Sequence, residues 1–305
     1  VTEVTPPLNI QQLNDRLAEV ARSMGIPVAR ARVMLCTLAV SQMLPDAVAI
    51  KGGMGVKLRM GEQGTRATAD LDVSTRARGE DFEQAFRDRL ARGWGEVPAS
   101  KGALSRDPDA PARVAFTASV RAVRLHDPGL AEPQYVMHPY RVSISFLGKA
   151  WTGLDVEVSD PEIDPFAHTR RQIDGHLVEF GDHFGFGDLN PVELVDLEYQ
   201  ISQKLHAVSD PGYVRAHDLV DLQLLWLARP DLNVLRQMCE RTFAFRNQQL
   251  WPPLPLRPMD GWSLAYADAR DETLVDGMTP ILETLDEARA WLEGTLRQIH
   301  SARGA

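Results

Sequence analysis

The stretch Thr68-Ala69-Asp70-Leu71-Asp72-Val73-Ser74 constrains this chain more than any other. Its apolar and acidic residues alternate with period two. That pattern predicts a β-strand with Leu71 and Val73 turned to a core and both carboxylates on the opposite face, about 7 Å apart along the strand. Unpaired carboxylates side by side repel and raise each other's pKa; a hard divalent cation such as Mg²⁺ or Mn²⁺ removes that penalty by taking their oxygens as ligands. A third acid is expected from Leu154-Asp155-Val156-Glu157-Val158-Ser159, a second alternating stretch in which Asp155 and Glu157 share a face. Glu157 is favoured because two β-branched residues flank it and argue for the sheet centre. Solvated acids on an open strand face are the bland alternative, and for an isolated Asp-x-Asp the commoner one.

The residues before this strand alter the balance. Val48-Ala49-Ile50 reads as a short strand running into Lys51-Gly52-Gly53, a turn with little side-chain bulk and free backbone N–H groups at the start of a helix. Such a turn suits a triphosphate. Arg66 and Lys51 could neutralise further phosphate charge, Arg66 as a bidentate fork and Lys51 as a point charge. Ordinary tight-turn glycines and surface bases are the competing explanation for each feature alone.

Periodicity sets the rest of the organisation. Amphipathic helices are expected over residues 9–25, with Asn9 as cap and Gly25 as stop, and over 29–44, ending before Pro45. A charged helix over Asp81–Arg92 and a surface loop over 98–112 follow. Strands over Val114–Val123, Tyr140–Phe146 and Leu154–Ser159 are expected to continue the sheet in antiparallel fashion. From Pro191 the pattern is almost entirely helical, with segments near 192–208, 215–228, 231–247 and 283–301. The expected fold class is therefore α+β (α/β): a mixed-sheet domain over 1–190 and a helical domain over 191–305, joined near Phe180–Asp188.

The helical half has its own cluster, Gln203-Lys204-Leu205-His206-Ala207 followed by Arg215, Asp218 and Asp221. If the two helices form a hairpin about Asp210-Pro211-Gly212, Lys204 meets Asp221. That contact is either a plain interhelical ion pair or a phosphate-binding lysine steadied by Asp221, with Asp218 supporting the turn.

Composition excludes several classes. With Lys+Arg 33 against Asp+Glu 42 the net charge is −9, which argues against a general cationic wrapper for nucleic acid and leaves a local basic patch open. The two cysteines, Cys36 and Cys239, have no ligand spacing, so a disulfide framework or zinc finger is not expected and a reducing compartment is. His176 and His183 form no metal array, and Trp251-Pro252-Pro253-Leu254-Pro255 reads as a crossover packed on the helical half. No apolar run is long enough for a membrane span and the N-terminal residues lack a secretory pattern, so the expected location is cytoplasmic, away from membranes. Thr68 is a possible regulatory position, because a phosphate there would bring negative charge where a triphosphate must sit.

Taken in order, Lys51-Gly52-Gly53, Arg66-Ala67-Thr68-Ala69-Asp70-Leu71-Asp72, Lys204-Leu205-His206-Ala207 and Arg215 with Asp218 and Asp221 resemble the AbiEii/AbiGii nucleotidyltransferase toxins, most closely the MenT type. The resemblance runs from about residue 48 to 226. It implies a DNA polymerase β-like nucleotidyltransferase lobe joined to a helical lobe. It also implies a toxin with a cognate antitoxin, associated with phage defence, that transfers nucleotides from an NTP, often a pyrimidine, to the 3′ end of tRNA. Aminoacylation and translation would then be blocked.

By this resemblance Gly52 and Gly53 match the glycine motif, Asp70 and Asp72 the metal-binding pair, Glu157 the third carboxylate, Lys204 the second-motif lysine and Asp221 the third-motif acid. Two divalent ions, Mg²⁺ or Mn²⁺, would serve an in-line attack on the α-phosphate. One departure stands out: Met54 occupies the position where the family carries Ser or Thr. An RNA acceptor would need a basic surface, for which Arg76, Arg78, Arg87, Arg89, Arg92, Arg113, Arg121, Arg124 and Arg141 are candidates. Modification of a partner protein by the same transfer chemistry, or a nucleotide-binding module without turnover, are the alternatives.

Overall fold

The structure, a computed structural model, describes residues 4–62, 64–76, 79–123, 137–160, 162–163, 168–172, 175–273 and 280–302. Chain contacts divide it into two compact units. The first comprises Val1–Ile50, Thr68–Asp160 and Arg171–Leu194; the second comprises Lys51–Ala67, Pro161–Arg170 and Val195–Ala305. Two segments that precede residue 190, Lys51–Ala67 and Pro161–Arg170, thus pack with the helical unit.

Along the chain the elements are α1 (Ile10–Met24), α2 (Val28–Ser41), β1 (Val48–Ile50), α3 (Gly52–Met60), β2 (Asp70–Thr75), α4 (Gly79–Arg92), β3 (Trp94–Val97), the single turn α5 (Lys101–Leu104), β4 (Arg113–Ala122), β5 (Met137–Phe146) and β6 (Lys149–Ser159). There follow β7 (Thr169–Gln172), α6 (Gly175–Asp182), β8 (Val192–Val195), α7 (Leu197–Val208), α8 (Ala216–Leu227), α9 (Leu232–Arg246), α10 (Trp262–Thr273) and α11 (Leu285–Ser301).

The sheet has eight strands in the order β3-β4-β5-β6-β2-β1-β8-β7. The expected antiparallel run is present as β4-β5-β6, but β6 lies parallel to β2, with Asp70 opposite Asp155 and Asp72 opposite Glu157. One face of these strands forms the first unit's core: Leu71, Val73, Val142, Ile144, Phe146, Leu154 and Val156 are buried. Phe82 and Phe86 of α4 belong to the same core, and Phe82 meets Tyr140 edge-on at 5.8 Å. A register shift at Ile144/Ser145 marks a bulge: Ile144 faces Thr152 and Ser145 faces Ala150, leaving Trp151 as the extra residue.

α1 follows its sequence signals. Asn9 accepts the Gln12 N–H at 3.0 Å, Gly25 ends the helix in the left-handed region, and Leu13, Leu17, Val20 and Ala21 are buried on one face. The second unit is a bundle whose core joins Ile201 and Leu205 of α7 to Leu219, Leu222 and Leu225 of α8, Leu235 and Phe243 of α9, and residues of α10 and α11.

Two expectations need correction. The helix expected from 192 starts at Leu197, because Val192-Glu193-Leu194-Val195 is a strand parallel to β1, with Leu194 opposite Ile50. The 98–112 loop contains α5, capped by Ser100. The Phe180–Asp188 stretch packs within the first unit: Phe180, Phe184 and Phe186 are buried, and Phe186 meets Phe116 edge-on and Trp94 at a tilt, with ring centroids 5.3 and 5.6 Å apart. Its aromatic rings fill the core between its glycines and acids. Phe186→Ala is therefore expected to cost about 3–5 kcal/mol of stability, read from urea unfolding; a cost under ~1 kcal/mol would mean that the ring is not part of the core.

Candidate active site

In the first unit, Asp70 and Asp72 leave β2 on the face away from Leu71 and Val73, and Glu157 projects beside Asp72 from the adjacent parallel strand. One oxygen from each of the three half-buried carboxylates lies within 4.8 Å of the other two. Asp155, the rival for the third position, is diverted: its carboxylate takes Arg141 Nη1 at 2.8 Å and its side chain is 59% exposed. The set holds only hard carboxylate oxygens, with no thiolate or imidazole, which fits an oxygen-seeking divalent ion and not a zinc-type site.

The second unit holds a separate cluster of charge. α7 and α8 form the expected hairpin, and Asp210 steadies its turn by accepting the Gly212 N–H at 2.8 Å. Lys204 Nζ donates to Asp221 Oδ2 at 2.6 Å and to Asp218 Oδ1 at 2.8 Å. Arg66 grips the same Asp221 with both arms of its fork, Nε to Oδ1 and Nη2 to Oδ2, each at 3.0 Å. Burial alone would raise the Asp221 pKa, but Lys204 and Arg66 outweigh it and bring it down to about 2. Burial likewise pulls Lys204 down, and Asp218 with Asp221 more than reverses this, so its ammonium is held charged.

Lys51 is buried ahead of α3 and helps, after Arg246, to hold the half-buried Glu162 carboxyl below its usual range against the desolvation that would raise it. Gly52 has a φ of 62°, a conformation that favours glycine, and its carbonyl accepts Gln200 Nε2 of α7 at 2.9 Å. Gly53 follows in the first turn of α3, while Met54 is fully buried, so its side chain belongs to the core of the turn. Thr68, half-buried, has an Oγ1 with no hydrogen-bond partner among the described residues.

Of the candidate basic residues, Arg121 and Arg141 stand directly opposite each other on β4 and β5. Arg87 pairs with Glu83 on its own helix, Arg89 and Arg92 donate to the carbonyls of Leu44 and Asp88, and Arg113 donates to that of Pro98. Arg78 and Arg124 lie outside the described residues.

Two features escaped the sequence. The Arg66–Asp221 fork joins positions 155 apart, and nothing local announces it. Glu162, Arg246 and His206 form a further, half-buried network: Arg246 donates twice to Glu162 through Nη2, at 2.7 and 3.0 Å, and approaches His206 Nδ1 at 3.2 Å. Burial and then Arg246 lower the His206 pKa to about 4, keeping the ring neutral.

Two outcomes follow from these geometries. Mg²⁺ or Mn²⁺ should raise the melting temperature of the native chain, and Asp72→Asn should remove that rise. Scanning fluorimetry reads both, and a full metal shift in the variant would put the ion elsewhere. Lys204→Met takes the nearest cation from buried Asp218 and leaves Asp221 to Arg66 alone, and should cost about 3 kcal/mol in urea unfolding; a change below ~1 kcal/mol would show that the remaining arginines compensate both carboxylates.

A family model described as the nucleotidyl transferase AbiEii toxin of a type IV toxin–antitoxin system matches residues 34–291. Among solved structures, the chain is similar to MenT4, a nucleotidyltransferase toxin from Mycobacterium tuberculosis H37Rv, with 16% identity and a TM-score of 0.51 over 98% of this chain and 91% of that one. At that identity the likeness concerns the fold, which agrees with the α+β arrangement described above. No curated protein sequence matches. With most of its length matched by the family model, this chain belongs to the AbiEii nucleotidyltransferase toxins.

Proposed function

We propose that this nucleotidyltransferase adds nucleotides from an NTP, preferentially a pyrimidine NTP, to the 3′ end of tRNA, and that a cognate antitoxin restrains it. The observation that supports this reading best is the convergence of Asp70, Asp72 and Glu157 on one sheet face in a member of this family. The reaction is in-line attack of a 3′-hydroxyl on the α-phosphorus: the new P–O bond forms, the bond to the bridging oxygen breaks, and pyrophosphate leaves.

When bound, Mg²⁺ or Mn²⁺ supplies positive charge to the reacting oxygens and acidifies a coordinated hydroxyl. Asp70, Asp72 and Glu157 would supply the carboxylate oxygens that hold such an ion. Within the second unit, the Gly52-Gly53 turn offers backbone N–H groups suited to phosphate at the start of α3, without help from a hydroxyl at Met54. Asp221 orients Lys204 and Arg66 by holding both cations in fixed geometry. Lys51 contributes charge beside the glycine turn.

The test is incubation of the full chain with Mg²⁺, total tRNA and each of the four NTPs in turn, labelled at the α-phosphate. Label should appear on tRNA, most strongly with CTP or UTP, and Asp70→Asn should reduce it by at least ~10²-fold. Label on protein alone would replace this reading with modification of a partner protein. NTP binding without any labelled product would leave a binding module.

A further inference from the structure

The exposed face of the first unit's sheet extends beyond the acid triad. Strand pairing continues it in register: Asp70 stands opposite Asp155, Asp155 opposite Arg141, and Arg141 opposite Arg121. Along β5, Tyr140, Val142, Ile144 and Phe146 turn into the core, leaving Arg141 and Ser143 on the open side. The next rows carry Ser119 opposite Ser143 and Thr117 opposite Ser145. The surface therefore passes from carboxylates through two guanidinium groups to a field of hydroxyls.

The pair with Asp155 accounts for Arg141 but not for a second arginine, Arg121, set directly against it. Like charges directly opposite on neighbouring strands destabilise a sheet, and the chain as a whole is acidic, with a net charge of −9. Yet Arg141 is given a prepared seat. Asp155 fixes one side of its guanidinium at 2.8 Å. A Cβ at Gly153 would stand 2.9 Å from Arg141 Nη2 and 3.0 Å from Nε, so the side chain lies across a position that glycine leaves open. With strands about 4.8 Å apart, β5 and β4 lie ~10 and ~15 Å from β2 across the sheet.

We propose that Arg141 and Arg121 bind the phosphate backbone of the acceptor's 3′-terminal RNA strand, which lies across this sheet face with its end toward the acid triad. The fork of each guanidinium matches phosphate oxygens. Ser119, Ser143 and Thr117 present hydroxyls to the sugar edge, where the 2′-hydroxyl distinguishes RNA from DNA. Asp155 has the further role of holding the Arg141 fork in place. The inference rests on RNA being the acceptor, and its experiment separates the two ideas.

Arg121→Ala, Arg141→Ala and the double variant are compared with the native chain, each checked for an unchanged melting temperature. Fluorescence anisotropy with a labelled short single-stranded RNA, across a salt series and without NTP, reads binding; transfer kinetics on total tRNA read KM for RNA and for NTP separately. Each substitution should weaken RNA binding about tenfold and lower the log–log salt slope by about 0.7. KM for NTP and kcat at saturating RNA should not move. Arg121→Gln, at an exposed position, preserves the test if loss of Arg141 unsettles Asp155. Native-like RNA affinity and salt slope in the double variant, with the native chain active on RNA, would overturn the surface and spare the reaction. A rise in NTP KM alone would move the arginines to the donor and also overturn it. A native chain that labels only protein would end both ideas.

Discussion

The parallel pairing of β2 with β6 is the constraint on which the candidate active site depends. Three carboxylates brought this close repel one another, and no side-chain packing would gather them unaided. The backbone does so, because strand alternation fixes which face each acid takes and the ladder fixes which acids are neighbours. What holds the ladder is on the other side: Leu71, Val73, Val156 and Val158 are buried at positions that interleave with the acids. The stability of the core and the geometry of the acids are thus two faces of one pattern.

The second unit solves a different electrostatic problem. Arg66, Lys204, Asp218 and Asp221 balance their formal charges within one mostly buried cluster. Taking these groups out of water costs much of what their attraction returns, so such networks are better understood as devices for geometry than as sources of stability. Asp221 is the pivot, since each of its oxygens accepts from Arg66 while one also accepts from Lys204. In the proposed reaction the two cations meet the nucleotide as one prearranged pair and not as independent flexible chains.

Much of this was legible in sequence because the periodicities were local. The Asp70 and Glu157 strands, the glycine turn before α3 and the α7–α8 hairpin all announce themselves within a few residues. Contacts of long range did not. Glu157 could be preferred over Asp155 only by its flanking residues, whereas the physical reason is Arg141, which captures Asp155 from the adjacent strand. Arg66 gave no sign of its bond to Asp221. A short strand such as β8 cannot be told from the start of a helix by periodicity when it has only four residues.

The bulge at Trp151 divides β6 into stretches of unequal tolerance to change in length. Between the bulge and the Leu147-Gly148 turn, one residue gained or lost could be absorbed by redrawing an irregularity that already exists. Beyond Gly153 there is no such slack. A single insertion there would invert the strand, driving the Glu157 carboxylate into oil and lifting Val156 or Val158 into water. Homologous chains that drift in length should accordingly vary on the turn side and keep the spacing from Gly153 to Ser159 intact.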